Sequence, residues 1–232
     1  KPDGVTVSMT ALSQLPDAKA VHDHLDKPPS QYADWITKQA AIALTQTGHQ
    51  QTQHELVDLA RQAHARIADG IALLASQPDL RQAFCWANAA MGEVATRRHG
   101  KGQDNFDPQW YLFQLAFLLL NIRSLHDPRC EDRRKVELLF FPTGGGKTEA
   151  YLGLAAFTLV LRRLRNPGIS SAGLTVLMRY TLRLLTLDQL GRAASLICAL
   201  ELERQKDAEK LGDWPFEIAL WVGRAATPNH MG

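Results

Sequence analysis

Apolar positions along this chain change their period once, near residue 130. Before that point the spacing is helical. From Gln31 to about Thr47, Tyr32, Trp35, Ile36 and Ala40 share one side. From about Gln50 to Ser76, Leu56, Leu59, Ala60, Ala63, Ile67, Ile71 and Leu74 recur every three to four residues and predict a long amphipathic helix. Pro78-Asp79 separates it from a further helix carrying Leu80, Phe84, Ala87, Met91 and Val94, with Asp79 able to cap it. A Gly, Asp and Asn loop at 100–107 leads to another helix, Pro108 to about Ser124. The first thirty residues, punctuated by Pro2, Gly4, Pro16, Pro28 and Pro29, are expected to be an extended arm (1–30), followed by an all-helical N-terminal domain (31–130).

After residue 130 the pattern alternates. Val136–Phe141, Leu174–Met178 and Phe216–Val222 are short apolar runs of the kind found in buried parallel strands. Helical segments at Lys147–Arg165 and Thr181 to about Lys210 separate them. Strand, helix, strand, helix, strand predicts βαβ units in a mostly parallel sheet, an α/β lobe over 131–232.

Composition narrows the class. With 232 residues, 45% hydrophobic and 22% charged, the chain can bury a core as one or two domains. The longest apolar stretch, Tyr111–Ile122, has twelve residues interrupted by Gln114, too short to span a bilayer. No secretory signal precedes the helices. Three cysteines without CxxC spacing (Cys85, Cys130, Cys198) argue against a disulfide framework and a zinc ribbon, and the expected compartment is a reducing cytoplasm. The absence of an initiator Met and the ending just after a strand-like run suggest a piece of a longer polypeptide. Net charge is only +2, yet Arg133–Arg192 holds ten basic residues against three acids, an excess able to steer a phosphate backbone.

Chemistry concentrates at Phe141-Pro142-Thr143-Gly144-Gly145-Gly146-Lys147-Thr148-Glu149, between the first expected strand and the next helix. Glycines let backbone N–H groups turn inward around an anion, and the helix N-terminus adds its positive dipole. ATP with Mg²⁺ is the expected ligand: Thr143 to Glu149 line the phosphates, Lys147 reaches the β- and γ-phosphates, and the Thr148 hydroxyl ligates Mg²⁺. Phe141 stands where the plain GxxxxGK[ST] loop has its first glycine.

That departure resembles motif I of superfamily 2 helicases and translocases. The resemblance extends to Gln114, 33 residues before Lys147, which is similar to the family's adenine-reading glutamine. The segment Arg179-Tyr180-Thr181-Leu182-Arg183 resembles motif Ia, implying strand contacts by Arg179, Thr181 and Arg183. Trp221-Val222-Gly223-Arg224 is similar to a strand-contact loop, implying roles for Gly223 and Arg224. The strings Leu138–Phe157 and Val176–Thr186 resemble the large helicase subunits of DISARM phage-defence systems. The resemblance implies a first RecA-like lobe, incomplete here, in a bacterial motor acting on invading DNA with a companion subunit and a modification methyltransferase. No Asp-Glu pair for Mg²⁺ and water ends a strand-like run up to Gly232, so this stretch alone is expected to bind ATP without hydrolysing it.

Two other readings stay open. One is a P-loop ATPase switch without helicase activity; the other is a non-enzymatic DNA-binding or assembly subunit. Elsewhere, His22, Asp23, His24 and Asp26 could ligate metal but lack a partner set, and His54-Glu55 is not HExxH because Asp58 fills the last position. Cys85 and Cys198 are expected in the core.

Overall fold

A computed structural model describes residues 5–99, 105–140, 142, 144–179 and 183–221, with the backbone alone at 183–187. The α-helices are α1 (Met9–Leu12), α2 (Ala18–Leu25), α3 (Lys27–Ala40), α4 (Thr47–Ser76), α5 (Pro78–His99), α6 (Leu112–His126), α7 (Lys147–Arg165), α8 (Arg183–Lys206) and α9 (Ala208–Leu211). The long helices form two main packed pairs, α4 on α6 and α5 on α7, with α8 against α5.

Of the arm expected at 1–30, the described residues 5–30 are folded. Its prolines sit where a helix tolerates them. Pro16 precedes Asp17, whose carboxylate caps α2 by accepting from the Ala20 N–H at 2.8 Å. Pro28 and Pro29 lie in the first turn of α3, where a missing N–H costs nothing. Val5, Val7, Met9, Leu12 and Leu15 are buried. The strand-like stretch before α1 is tied to the segment before α6: the Met9 N–H donates to the Pro108 carbonyl at 2.8 Å and the Trp110 N–H to that of Val7 at 2.9 Å.

One hydrophobic cluster runs from Val5 through Phe84, Leu118 and Phe157 to Phe216, so the interior is shared by the segments on both sides of residue 130. Two glycines permit its closest approaches. A Cβ on Gly70 of α4 would lie 2.1 Å from the Leu119 carbonyl oxygen of α6. A Cβ on Gly153 of α7 would lie 2.6 Å from the Trp110 ring. The Trp110 indole N–H in turn donates to Asn88 Oδ1 at 2.7 Å, inside α5.

The parallel sheet expected over 131–232 is not found among the described residues. Among the described residues there is no β-strand, only an isolated antiparallel bridge between Ser8 and Gln109. The runs at 136–140, 174–179 and 216–221 form no regular secondary structure. Val136, Leu138 and Phe140 are 95%, 84% and 90% exposed, the reverse of what a buried strand requires. The reason lies in what the pattern encodes. A short apolar, β-branched run biases the local backbone toward extension, but pairing depends on a neighbouring strand, which periodicity does not supply. The α/β fold class and the RecA-like lobe are therefore corrected, for the described residues, to a helical architecture in which the three runs have no regular secondary structure.

Candidate functional site

The glycine loop is built as a turn into α7. The Gly145 N–H donates to the Pro142 carbonyl at 3.1 Å, closing the turn. Gly144 and Gly146 have φ of 80° and 83°, a left-handed conformation that side chains with a Cβ rarely adopt. Gly146 is also the N-cap of α7, so the loop feeds directly into the first helical turn, whose N–H groups have no partner within the helix itself. Space demands glycine there a second time: a Cβ on Gly146 would lie 2.8 Å from Gln114 Nε2 and 3.4 Å from Tyr111 Cε2.

Gln114 approaches that closely because it braces the loop. It is 3% exposed, in the first turn of α6. Its Oε1 accepts from the Tyr111 N–H at 2.7 Å, the reach-back of a capping box, and its Nε2 donates to the Gly146 carbonyl at 2.7 Å. The glutamine picked out in the sequence and the glycine loop are thus brought together across 32 residues. Both amide heavy atoms are committed to protein. Tyr111, beside the loop and largely exposed, stacks on Phe113 with ring centroids 6.1 Å apart.

Lys147 and Thr148 open α7 and are half-buried. The Lys147 ammonium donates to the Pro142 carbonyl at 3.0 Å, folding the side chain back over the loop. Glu149, one residue further, forms an ion pair with Arg192 of α8, and Arg98 Nη1 at the end of α5 lies 3.9 Å from the same carboxylate oxygen. Three helices therefore meet at the first turn of α7. Neither arginine was singled out from the sequence. Arg192 stands 43 residues from Glu149, and only the fold reveals the pairing.

The other expected site residues fall differently. Arg179 lies exposed at the end of the 174–179 segment. Arg183 is the first residue of α8, but its side chain, like Thr143, Thr181, Gly223 and Arg224, lies outside the described residues. Much of the basic excess counted in the sequence is engaged in structure. Lys135 pairs with Asp132 and Arg165 with Asp79; Arg162 and Arg163 donate to the Leu174 and Pro215 carbonyls. Arg163, 5% exposed, also lies over the Phe216 ring, and burial pushes its pKa down.

Among the described residues no group of three or more His, Cys, Asp or Glu is arranged to hold a metal ion. His22 is paired with Asp26 and Asp23 with Lys19 along the exposed side of α2. Cys85 is buried, donating its thiol to the Leu15 carbonyl, with a pKa raised by burial; Cys198, expected in the core, is exposed. No described helix is long and apolar enough to cross a membrane.

No family model matches the chain. It is similar to the DISARM protein DrmA of Bacillus paralicheniformis, with 35% identity over 240 aligned residues that take in 97% of this chain. Those residues are 21% of the relative, so the chain spans about a fifth of its length. The similarity relates the chain to the DISARM system.

Proposed function

We propose that this chain is the nucleotide-binding part of an ATP-dependent, superfamily 2-type DNA translocase acting in phage defence, as the name of its DISARM relative suggests. The observation that carries the reading is the left-handed Gly144–Gly146 turn delivering Lys147 and Thr148 to the N-terminus of a 19-residue helix. A glycine turn that enters a helix N-terminus, with the helix dipole behind it, is a setting that favours an anion.

The residues present suit ATP with Mg²⁺. Gly144, Gly145 and Gly146 leave the turn clear of side chains for phosphate oxygens. Lys147 exchanges the Pro142 carbonyl for a phosphate oxygen, trading a neutral acceptor for a charged one that binds it roughly twice as strongly. Thr148 offers its hydroxyl to Mg²⁺, and Gln114 fixes the loop from behind through Gly146. DNA is gripped by Arg179, Thr181 and Arg183, with Gly223 and Arg224 contributing, and a companion DISARM subunit completes the machine. Bound Mg·ATP supplies the phosphoryl-transfer chemistry that drives movement.

The test is ATP hydrolysis by the intact protein, with and without single-stranded DNA, beside Lys147→Ala. Hydrolysis stimulated by DNA and reduced at least about a hundred-fold in the variant is expected, since one preorganised charge in a phosphoryl-transfer site contributes on that scale. Equal rates in the two proteins overturn the assignment of the loop. Lys147-dependent hydrolysis indifferent to DNA points to a nucleotide switch instead.

A further inference from the structure

The contact around Glu149 is not explained by phosphate binding alone. Its carboxylate sits in the first turn of α7, and Glu149 Oε2 lies 3.5 Å from where a Cβ on Gly146 would stand. A negative group beside an anion-binding turn weakens anion binding unless it is neutralised. Arg192 neutralises it, with its side chain 20% exposed against 31% for Glu149. The second cation, Arg98, stands off at 3.9 Å with half of its side chain in solvent, a weaker flanking partner. Arg192 is therefore the principal electrostatic partner of the loop's own carboxylate.

Its position on α8 gives this pair reach. α8 runs from Arg183 to Lys206, and Arg192 lies nine residues into it, about 13 Å along the axis at 1.5 Å per residue. One to two turns further on, Leu196, Ala199 and Leu200 are buried in the shared core, so this part of α8 is packed rather than loose. A triphosphate in the loop changes the energy of the pair whichever ion responds. It repels Glu149 and attracts Arg192, which is the differential interaction that coupling requires.

We infer that Arg192 is a positioning residue that couples occupancy of the glycine loop to α8: with the loop empty it is held by Glu149, and with nucleotide bound it is drawn toward the phosphates and carries α8 with it. The inference rests on the proposed nucleotide site. No bond is made or broken; one guanidinium changes its anionic partner. Because coupling is reciprocal, whatever holds α8 in the shifted position raises nucleotide affinity by the same factor.

Hydrogen exchange in the intact protein tests this, with a non-hydrolysable ATP analogue plus Mg²⁺ as the probe, in wild type, Arg192→Gln and Arg192→Lys. In wild type the analogue is expected to change amide exchange across residues 188–206 by about five-fold or more, the lower end of common coupling factors. Arg192→Gln leaves Glu149 without its main cation, so it is expected to bind the analogue more weakly and, at saturating analogue, to protect the loop while leaving α8 exchange unaltered. Arg192→Lys, which keeps the charge without the planar fork, is expected to restore part of the response. An α8 response in Arg192→Gln equal to wild type overturns the inference, as does a wild type that binds the analogue with no response in α8. Failure of wild type to bind the analogue at all strikes the proposed function instead. Thermal melting of each variant shows that it is folded, and an unfolded Gln variant leaves the decision to Arg192→Lys, where a full wild-type response supports a charge-based link and none opposes it.

Discussion

Gln114 offers the sharpest test of how the loop is held, because its two hydrogen bonds do different things and can be broken separately. Alanine at 114 removes both. The Tyr111 N–H loses the acceptor that caps α6, and the Gly146 carbonyl loses the donor that fixes the turn. Each lost bond costs about 1 kcal/mol net, and more where the partner stays buried and unpaired, so the sum is about 2–4 kcal/mol. In a domain of 150–250 residues each kcal/mol shifts the melting midpoint by about 2–4 °C, so Gln114→Ala is expected to lower it by about 4–16 °C. Affinity for a non-hydrolysable ATP analogue is expected to fall with it, since Gly146 is no longer held in its left-handed turn.

Gln114→Glu separates the two effects. One carboxyl oxygen still accepts from the Tyr111 N–H, so α6 stays capped. The other now faces the Gly146 carbonyl oxygen, where an amide nitrogen stood at 2.7 Å. Ionised, the glutamate repels that oxygen; protonated, it donates to it. Burial and the carbonyl both favour the neutral form, so the pKa of the glutamate rises above its ordinary value of about 4.3. The bond is then present below the raised pKa and lost as pH increases through it. The expected result, from isothermal titration against wild type at each pH, is analogue binding at least about ten-fold weaker at pH 7.5, recovering toward pH 5.5, one pKa unit of differential interaction being a factor of ten. A Glu variant with wild-type affinity at pH 7.5, or an Ala variant with an unchanged melting midpoint, refutes the bracing role.

Gly70→Ala is expected to destabilise the fold by about 3 kcal/mol or more, because its Cβ would meet a helix carbonyl oxygen, Leu119 O at 2.1 Å, that cannot swing aside; a melting midpoint within 1 °C of wild type, on the order of the shift from a few tenths of a kcal/mol, contradicts it. Glu201 contributes to acid sensitivity. Arg204 beside it and the Phe216 N–H that it accepts hold its carboxyl down at about 2, against an ordinary 4.5. Its stabilisation is therefore complete above pH 4.5 and lost as pH falls toward 2, worth about 1–2 kcal/mol after discounting for solvent access. Glu201→Gln is expected to remove that part of the acid transition in urea titrations, and an identical pH profile for both proteins contradicts it.

What was legible in the sequence follows from which interactions are local. Helices α4 to α7 could be read because their signals are short-range: 3.6-residue spacing, Pro78 at a helix start, a glycine loop before Lys147. The turn chemistry of Gly144 and Gly146 was legible for the same reason, since left-handed backbone at a helix entry favours glycine whatever surrounds it. Over 5–30 the prolines read in the sequence as punctuation, whereas Pro28 stands in a first helical turn, a position that tolerates it. The three strand-like runs show the limit of the pattern, because β-propensity is local and strand pairing is not. Gln114 shows both sides of this limit. Its separation from Lys147 could be noted in the sequence, but that its amide closes on the Gly146 carbonyl depends on α6 and α7 packing side by side.

The charge pattern yields to the same reasoning and bears most directly on DNA. A count along the chain treats each Arg and Lys as equally available to a phosphate backbone, yet affinity depends on those that can release counterions at the surface. Lys135 and Arg165 already face carboxylates, Arg163 is buried over Phe216, and Arg192 serves Glu149. These cations shape the fold, and drawing any of them to DNA would first break a contact inside the protein. For three of them that loss would bring no visible gain. For Arg192 it would bring one, because its present partner belongs to the glycine loop. A cation shared between the loop and α8 is where nucleotide and nucleic acid could exert force on each other, and this makes the Glu149–Arg192 pair more informative about mechanism than the basic excess that first drew attention to this half of the chain.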